Sequence, residues 1–141
     1  MLYSEKFPSF PENVSIKINK KTNVLYFLHG CAYANFGDRR EYRIYYKDNT
    51  HKSITLIPTG NVATGQGENI QDWFFSPVIE GPDVKYVPVP VKENPTEITD
   101  LRFIYILEWK NPYPEKEIDS IELISGKGQT IIFVLEKKEN F

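Results

Sequence analysis

The sequence predicts an all-β chain folded as an antiparallel two-sheet sandwich, and three observations carry that expectation. Ile, Val, Thr, Tyr, Phe and Trp, the residues that favour strands, make up 52 of the 141 positions. Ala, the best helix former, occurs only at positions 32, 34 and 63. Apolar residues recur at a spacing of two along most of the chain, and turn residues interrupt them at short intervals.

Each element follows from its residues. Residues 1–13 carry Phe7, Pro8, Phe10 and Pro11, which disfavour helix and suggest an extended arm whose rings lie on the body. Val14, Ile16 and Ile18 then alternate with Ser15 and Lys17, the pattern of a half-buried strand. Residues 24–28 are continuously apolar and read as a central strand buried on both faces. Tyr42, Ile44 and Tyr46 alternate with polar neighbours, Asp48-Asn49 supplies a turn, and residues 52–57 return as the second strand of a hairpin.

The stretch 58–84 is long and glycine-punctuated, which in a compact domain marks a functional or mobile segment. Within it Ile70, Trp73 and Phe74 have the i, i+3, i+4 spacing of one helical turn. Val87, Val89 and Val91 alternate with Pro88 and Pro90. That pattern reads as a sheet-edge strand with its valines inward and its proline nitrogens outward. Leu101, Phe103, Tyr105, Leu107 and Trp109 form one face of a long strand, and Ile104 and Ile106 suggest partial cover on the other. Strands at 118–124 and 131–135 flank a Gly126-Lys127-Gly128 turn. The expected organisation is one domain over 14–136 with a polar tail at 137–141.

Composition excludes several classes of function. Lys and Arg number 17 against 19 Asp and Glu, a net charge of −2, so no basic excess exists to bind nucleic acid non-specifically. One cysteine, Cys31, and two histidines, His29 and His51, leave no disulfide framework and no cysteine- or histidine-rich metal site. The longest wholly apolar runs are about five residues, far short of the ~20 of a membrane helix. The N-terminus lacks the apolar core of a signal peptide, so a cytoplasmic chain or a piece of a larger polypeptide is expected. His29, following an apolar strand, reads as a hydrogen-bonded structural residue, and Cys31 as a packed thiol.

If every connection reverses the chain, the loops after the strands ending near 28, 57 and 109 gather at one end. That end would present Tyr33, Asn35, Phe36, Asp38, Arg39, Arg40, Asn69, Asp72, Trp73, Trp109, Asn111 and Tyr113. Aromatic rings beside amides, carboxylates and guanidinia suit a carbohydrate, whose C–H face lies on a ring while its hydroxyls meet polar groups. The expected ligand-binding residues are Tyr33, Arg39, Arg40, Asn69, Asp72, Trp73 and Tyr113, with Arg39-Arg40 able to clamp a sugar carboxylate. Trp73 exposed in a cleft would favour a ligand site; Trp73 buried would favour a structural plug.

The segments VLYFLHGCAYA (24–34), EYRIYYKDNTHKSITLI (41–57), GENIQDW (67–73) and EWKNPYPEKEIDSIEL (108–123) together resemble the galactose-binding-like jelly-roll domains. These are accessory parts of bacterial glycoside hydrolases and related carbohydrate-active proteins. The resemblance covers about 14–135 and implies a non-catalytic, carbohydrate-binding or accessory module. Such domains usually carry a further strand-bearing segment before Val14. Its shortness here implies an open edge available to a second copy of the chain. The resemblance also raises a structural calcium, although no Asp-rich calcium loop is present. The alternatives are a structural or protein–protein interaction sandwich without a sugar ligand, and a small hydrolase using Asp38 and Asp72 as paired carboxylates.

Overall fold

The computed structural model describes the chain except residues 36–39, 60–68, 80–82, 127, 129 and 139–141, and gives residues 133 and 135–138 by their backbone alone. Arg39, Asp38 and Phe36, the centre of the Gly126-Lys127-Gly128 turn and most of the polar tail therefore lie outside the described residues.

The strands are β1 (Asn13–Lys20), β2 (Val24–Ala32), β3 (Arg40–Tyr46), β4 (His51–Leu56), β5 (Pro58–Thr59), β6 (Ile70–Gln71), β7 (Val84–Pro90), β8 (Leu101–Lys110), β9 (Ile118–Ile124) and β10 (Ile131–Lys138). They form two antiparallel sheets of four strands, ordered β1-β9-β3-β4 and β10-β2-β8-β7, and a two-stranded parallel pair β5-β6. The one helical element among the described residues is a 3-10 turn at Ile98–Asp100.

Alternation decides which residues fill the space between the sheets. Leu25, Phe27, His29 and Cys31 of β2 are buried, as are Tyr42, Ile44 and Tyr46 of β3 and Phe103, Tyr105 and Leu107 of β8. Phe27 stacks on Tyr42 with ring centroids 4.6 Å apart, joining the two sheets. The central position of the 24–28 strand is as its sequence suggests. Its outer face, however, is only half covered, at Tyr26 and Leu28, and the strand runs on to Ala32. The β3–β4 hairpin closes at Asp48-Asn49, where Asp48 Oδ1 accepts the Thr50 amide and Asn49 takes φ 69°.

One connection does not reverse. Arg40 of β3 reaches Thr130, so the start of β3 and the start of β10 share one end, which is called the upper end. Leu56 closes β4 there, opposite Arg40. Yet β7 begins opposite Leu107 and finishes opposite Leu101, so it climbs in the same direction as β4. The connection between them therefore starts at the upper end and finishes at the lower, and its described part sends Ile79 into the core. Every later connection is inverted relative to the alternating count. The loop after β8 falls at the lower end, where Asn111 receives from Tyr46, and the β9–β10 connection falls at the upper end.

The Val-Pro strand is an edge, hydrogen-bonded among the described strands to β8 alone, but its faces are opposite to expectation. Glu108 N donates to Asp83 O and Val91 N to Asp100 O. These bonds set the phase, so residues 83, 85, 87, 89 and 91 bond β8, and the amide positions of 84, 86, 88 and 90 face the open edge. Pro88 and Pro90, which have no N–H, are tolerated only there. Cross-strand partners share a face, so Pro88 lies with Phe103 on the core side and Val87 with Ile104 on the outer side. Val89 and Val91 remain 37% and 51% exposed. The missing proline N–H groups, and not the valines, set the register.

Residues 1–12 turn back on themselves. Tyr3 N donates to Pro11 O and Phe7 N to Ser4 O, while Leu2 N donates to Ile132 O on the free side of β10. The helical turn expected at 70–74 is absent. Ile70 belongs to β6 and is buried, whereas Phe74 is exposed. The backbone at Asp72 and Trp73 is spent on neighbouring strands instead.

Candidate functional site

At the upper end β2 and β8 diverge, and the chain just after β6 is wedged between them. Asp72 bridges in parallel to Cys31. Trp73 N donates to Cys31 O at 2.9 Å, and Phe103 N donates to Trp73 O at 2.8 Å. Residues 72–73 thus behave as an extra rung between two strands that no longer reach each other. The Asp72 carboxylate anchors the rung. Its Oδ2 accepts the Ala34 amide and its Oδ1 the Phe74 amide, each at 3.0 Å.

Beside that rung, on the outer face of the second sheet, lies a groove of about 560 Å³. The N-terminal segment supplies Met1, Phe7 and Phe10; the end of β2 supplies Ala32 and Tyr33; Trp73 comes from the wedge. Val89, Ile104, Ile131 and Val134 complete it from β7, β8 and β10. Ile104, only 7% exposed, is the outer-face burial that its sequence position suggested. Tyr33 takes φ 54°, stands 49% exposed and meets Phe7 at 6.2 Å between ring centroids. Two cations sit on the rings. Lys6 Nζ lies 5.1 Å from the Tyr33 centroid, and the Arg102 guanidinium lies 6.0 Å from that of Trp73 and 4.6 Å from that of Phe74.

The residues expected to grip a ligand divide into three groups. Tyr33 and Trp73 meet in the groove, Trp73 half-buried. Asn69, Asp72 and Arg40 stand at the same end but are engaged with the protein itself. Asn69 Oδ1 accepts the Ile57 amide at 2.9 Å and its Nδ2 donates to Thr55 O at 2.8 Å. Arg40 is buried and donates from Nη2 to Thr130 O, linking the two sheets. Tyr113 is not in this patch at all. It lies at the lower end, between the ammonium groups of Lys116 and Lys52 and edge-on to Tyr46. The expected convergence of three loops is therefore corrected to two, because the chain between β4 and β7 does not reverse.

Phe7, Phe10, Val89, Ile131 and Arg102 were absent from the sequence-derived set. Phe7 and Phe10 had a legible signal, as rings in an arm that had to rest somewhere. Val89 did not, since its side depends on the β7 register.

Burial holds two titratable groups between the sheets in their neutral forms. Burial pushes the Cys31 thiol well above its ordinary range, Asp72 adds to the rise, and Arg40 opposes it. Burial lowers His29 to about 3, so its ring is neutral, with Nδ1 and the Tyr42 hydroxyl 2.5 Å apart. Among the described residues no group of three or more His, Cys, Asp or Glu side chains could hold a metal ion. Asp38 is not described, so its distance to Asp72 is not defined, and both Asp72 oxygens already accept backbone amides. Comparison with protein-family models, curated proteins and solved structures gives no match to this chain.

Proposed function

We propose that the chain is a non-catalytic binding module, a jelly roll of the galactose-binding-like, accessory kind, that holds its ligand in the groove beside Trp73 and Tyr33. One observation carries this reading. Two aromatic rings from separate loops open into one concave, apolar surface on a rigid sheet, the usual character of a ligand site. The ligand is held mainly by apolar contact, because Asn69 and Asp72 already bond backbone groups.

A carbohydrate is the second reading, favoured by the partly open faces of Trp73 and Tyr33. A sugar held there would depend on C–H stacking with few hydroxyl partners, which makes it weak and broadly specific.

The test uses 1-anilinonaphthalene-8-sulfonate on the folded protein, and a glycan array in parallel. Saturable dye binding at one site, lost in Trp73→Ala and reduced in Tyr33→Ala, supports the module. Tyr33 is exposed, so its removal leaves the fold intact. Absence of dye and glycan binding, with Trp73→Ala losing the ~3–5 kcal/mol of a core aromatic, would instead establish a purely structural domain. Glycan binding that Tyr33→Ala weakens would select the carbohydrate reading.

A further inference from the structure

The groove has a direction. Ile131 pairs with Ala32 across β10 and β2, residues 72–73 bond to both β2 and β8, and β7 follows β8. The apolar stripe therefore crosses five chain segments at right angles to the strands. At about 4.8 Å per step, four steps span about 19 Å. An apolar stripe of about that length suits an extended alkyl chain lying along it.

Charge supplies the other half of the argument. Among the described residues the lining side chains include no carboxylate. The charged groups that the described residues seat on the groove's rings are Lys6 and Arg102, both cationic. A cationic ligand would be repelled there, and a neutral one would leave both fields unused. Of the two, Arg102 is the better held, since its Nη1 donates to the carbonyls of Thr99 and Leu101 at 3.0 Å each. A fixed guanidinium presents a planar fork that suits a carboxylate.

We infer that the groove takes a free fatty acid of medium chain length, its alkyl chain along the stripe and its carboxylate at Arg102. This rests on the groove being the ligand site, as proposed above. It goes further by naming the ligand's chemistry and its orientation.

Calorimetric titration of the whole chain with octanoate, decanoate and dodecanoate below their micellar concentrations, and with the matching alcohols, tests it. Affinity should tighten about fourfold per methylene until the stripe is filled. Arg102→Gln should weaken the acids about tenfold while leaving the alcohols unchanged, and Arg102→Lys should restore part of the loss. Lys17→Gln, on the other sheet, should change neither series. Affinity independent of chain length, or equal loss of acids and alcohols in Arg102→Gln, would overturn the inference. Should Arg102→Gln not fold, the chain-length series and Arg102→Lys still decide the matter. Dye binding without fatty-acid binding would refute this ligand and leave the groove as a site. Failure of both would remove the site itself.

Discussion

The two ends of the molecule are closed by different chemistry. At the lower end Tyr46 donates to Asn111 Oδ1 at 2.6 Å, and Asn111 Nδ2 donates to Thr22 O at 2.8 Å. Tyr113 packs against Tyr46 and carries Lys116 and Lys52 on its ring. The turns there are short, and aromatic and cation–π packing fills the end. The upper end buries His29, Arg40, Gln71, Asp72, Ser125 and Thr130. A wedge of backbone is needed to span strands that have splayed. Splaying leaves a concave outer surface, so the end with the costlier polar interior is also the end with the groove.

The largest expected effect belongs to the upper end and to acid. His29 sits at about 3 when folded against 6.5 when unfolded, so the unfolded chain takes the proton first. Its contribution is complete above about pH 6.5 and falls as pH drops toward 3, at ~1.4 kcal/mol per pH unit, on the order of 5 kcal/mol in all. Urea unfolding at intervals between pH 7 and 4 should show this slope, and His29→Gln should flatten it. An unchanged slope in the variant would mean that acid sensitivity arises elsewhere. The carboxylates of exposed Asp48 and half-buried Asp100 and Asp119, each held near 2 chiefly by hydrogen bonds, lose their contribution only below about pH 4.

Next in size is Asp72→Ala, which leaves two amides without their carboxylate and should cost about 3 kcal/mol. It should also abolish dye binding, since the wedge positions Trp73. Asn111→Ala at the lower end should cost about 2 kcal/mol by stranding the buried Tyr46 hydroxyl. Dye binding should survive that change, and its loss would show that the two ends are not independent. The smallest effect is expected at the β7 edge. Pro88→Val with Pro90→Val restores two outward N–H groups and should move stability by no more than about 0.5 kcal/mol. Sedimentation should nevertheless reveal concentration-dependent association, because the blunted edge becomes a template for a second copy. A monomer at all concentrations would show that the prolines do not guard this edge.

The sequence by itself determined the strand content, the β3–β4 hairpin and the long β8 with cover on both faces. It also marked His29 and Cys31 as interior groups and β7 as an edge. Each of these rests on local information: side-chain period, turn residues and the missing proline N–H. The tertiary structure decided what local information does not contain. Whether the chain from 57 to 83 reverses depends on where its backbone finds partners, and it finds them in Cys31 and Phe103, distant in sequence. That one connection sent Tyr113 to the far end and inverted every later loop. The faces of β7 followed from hydrogen-bond phase with β8, which overrode the apolar alternation of its valines. Asn69 and Asp72 looked equally able to meet a ligand or to brace a loop. Only the position of backbone amides beside them decided for the loop, because those amides need acceptors and the side-chain oxygens that accept from them are compensated for leaving solvent.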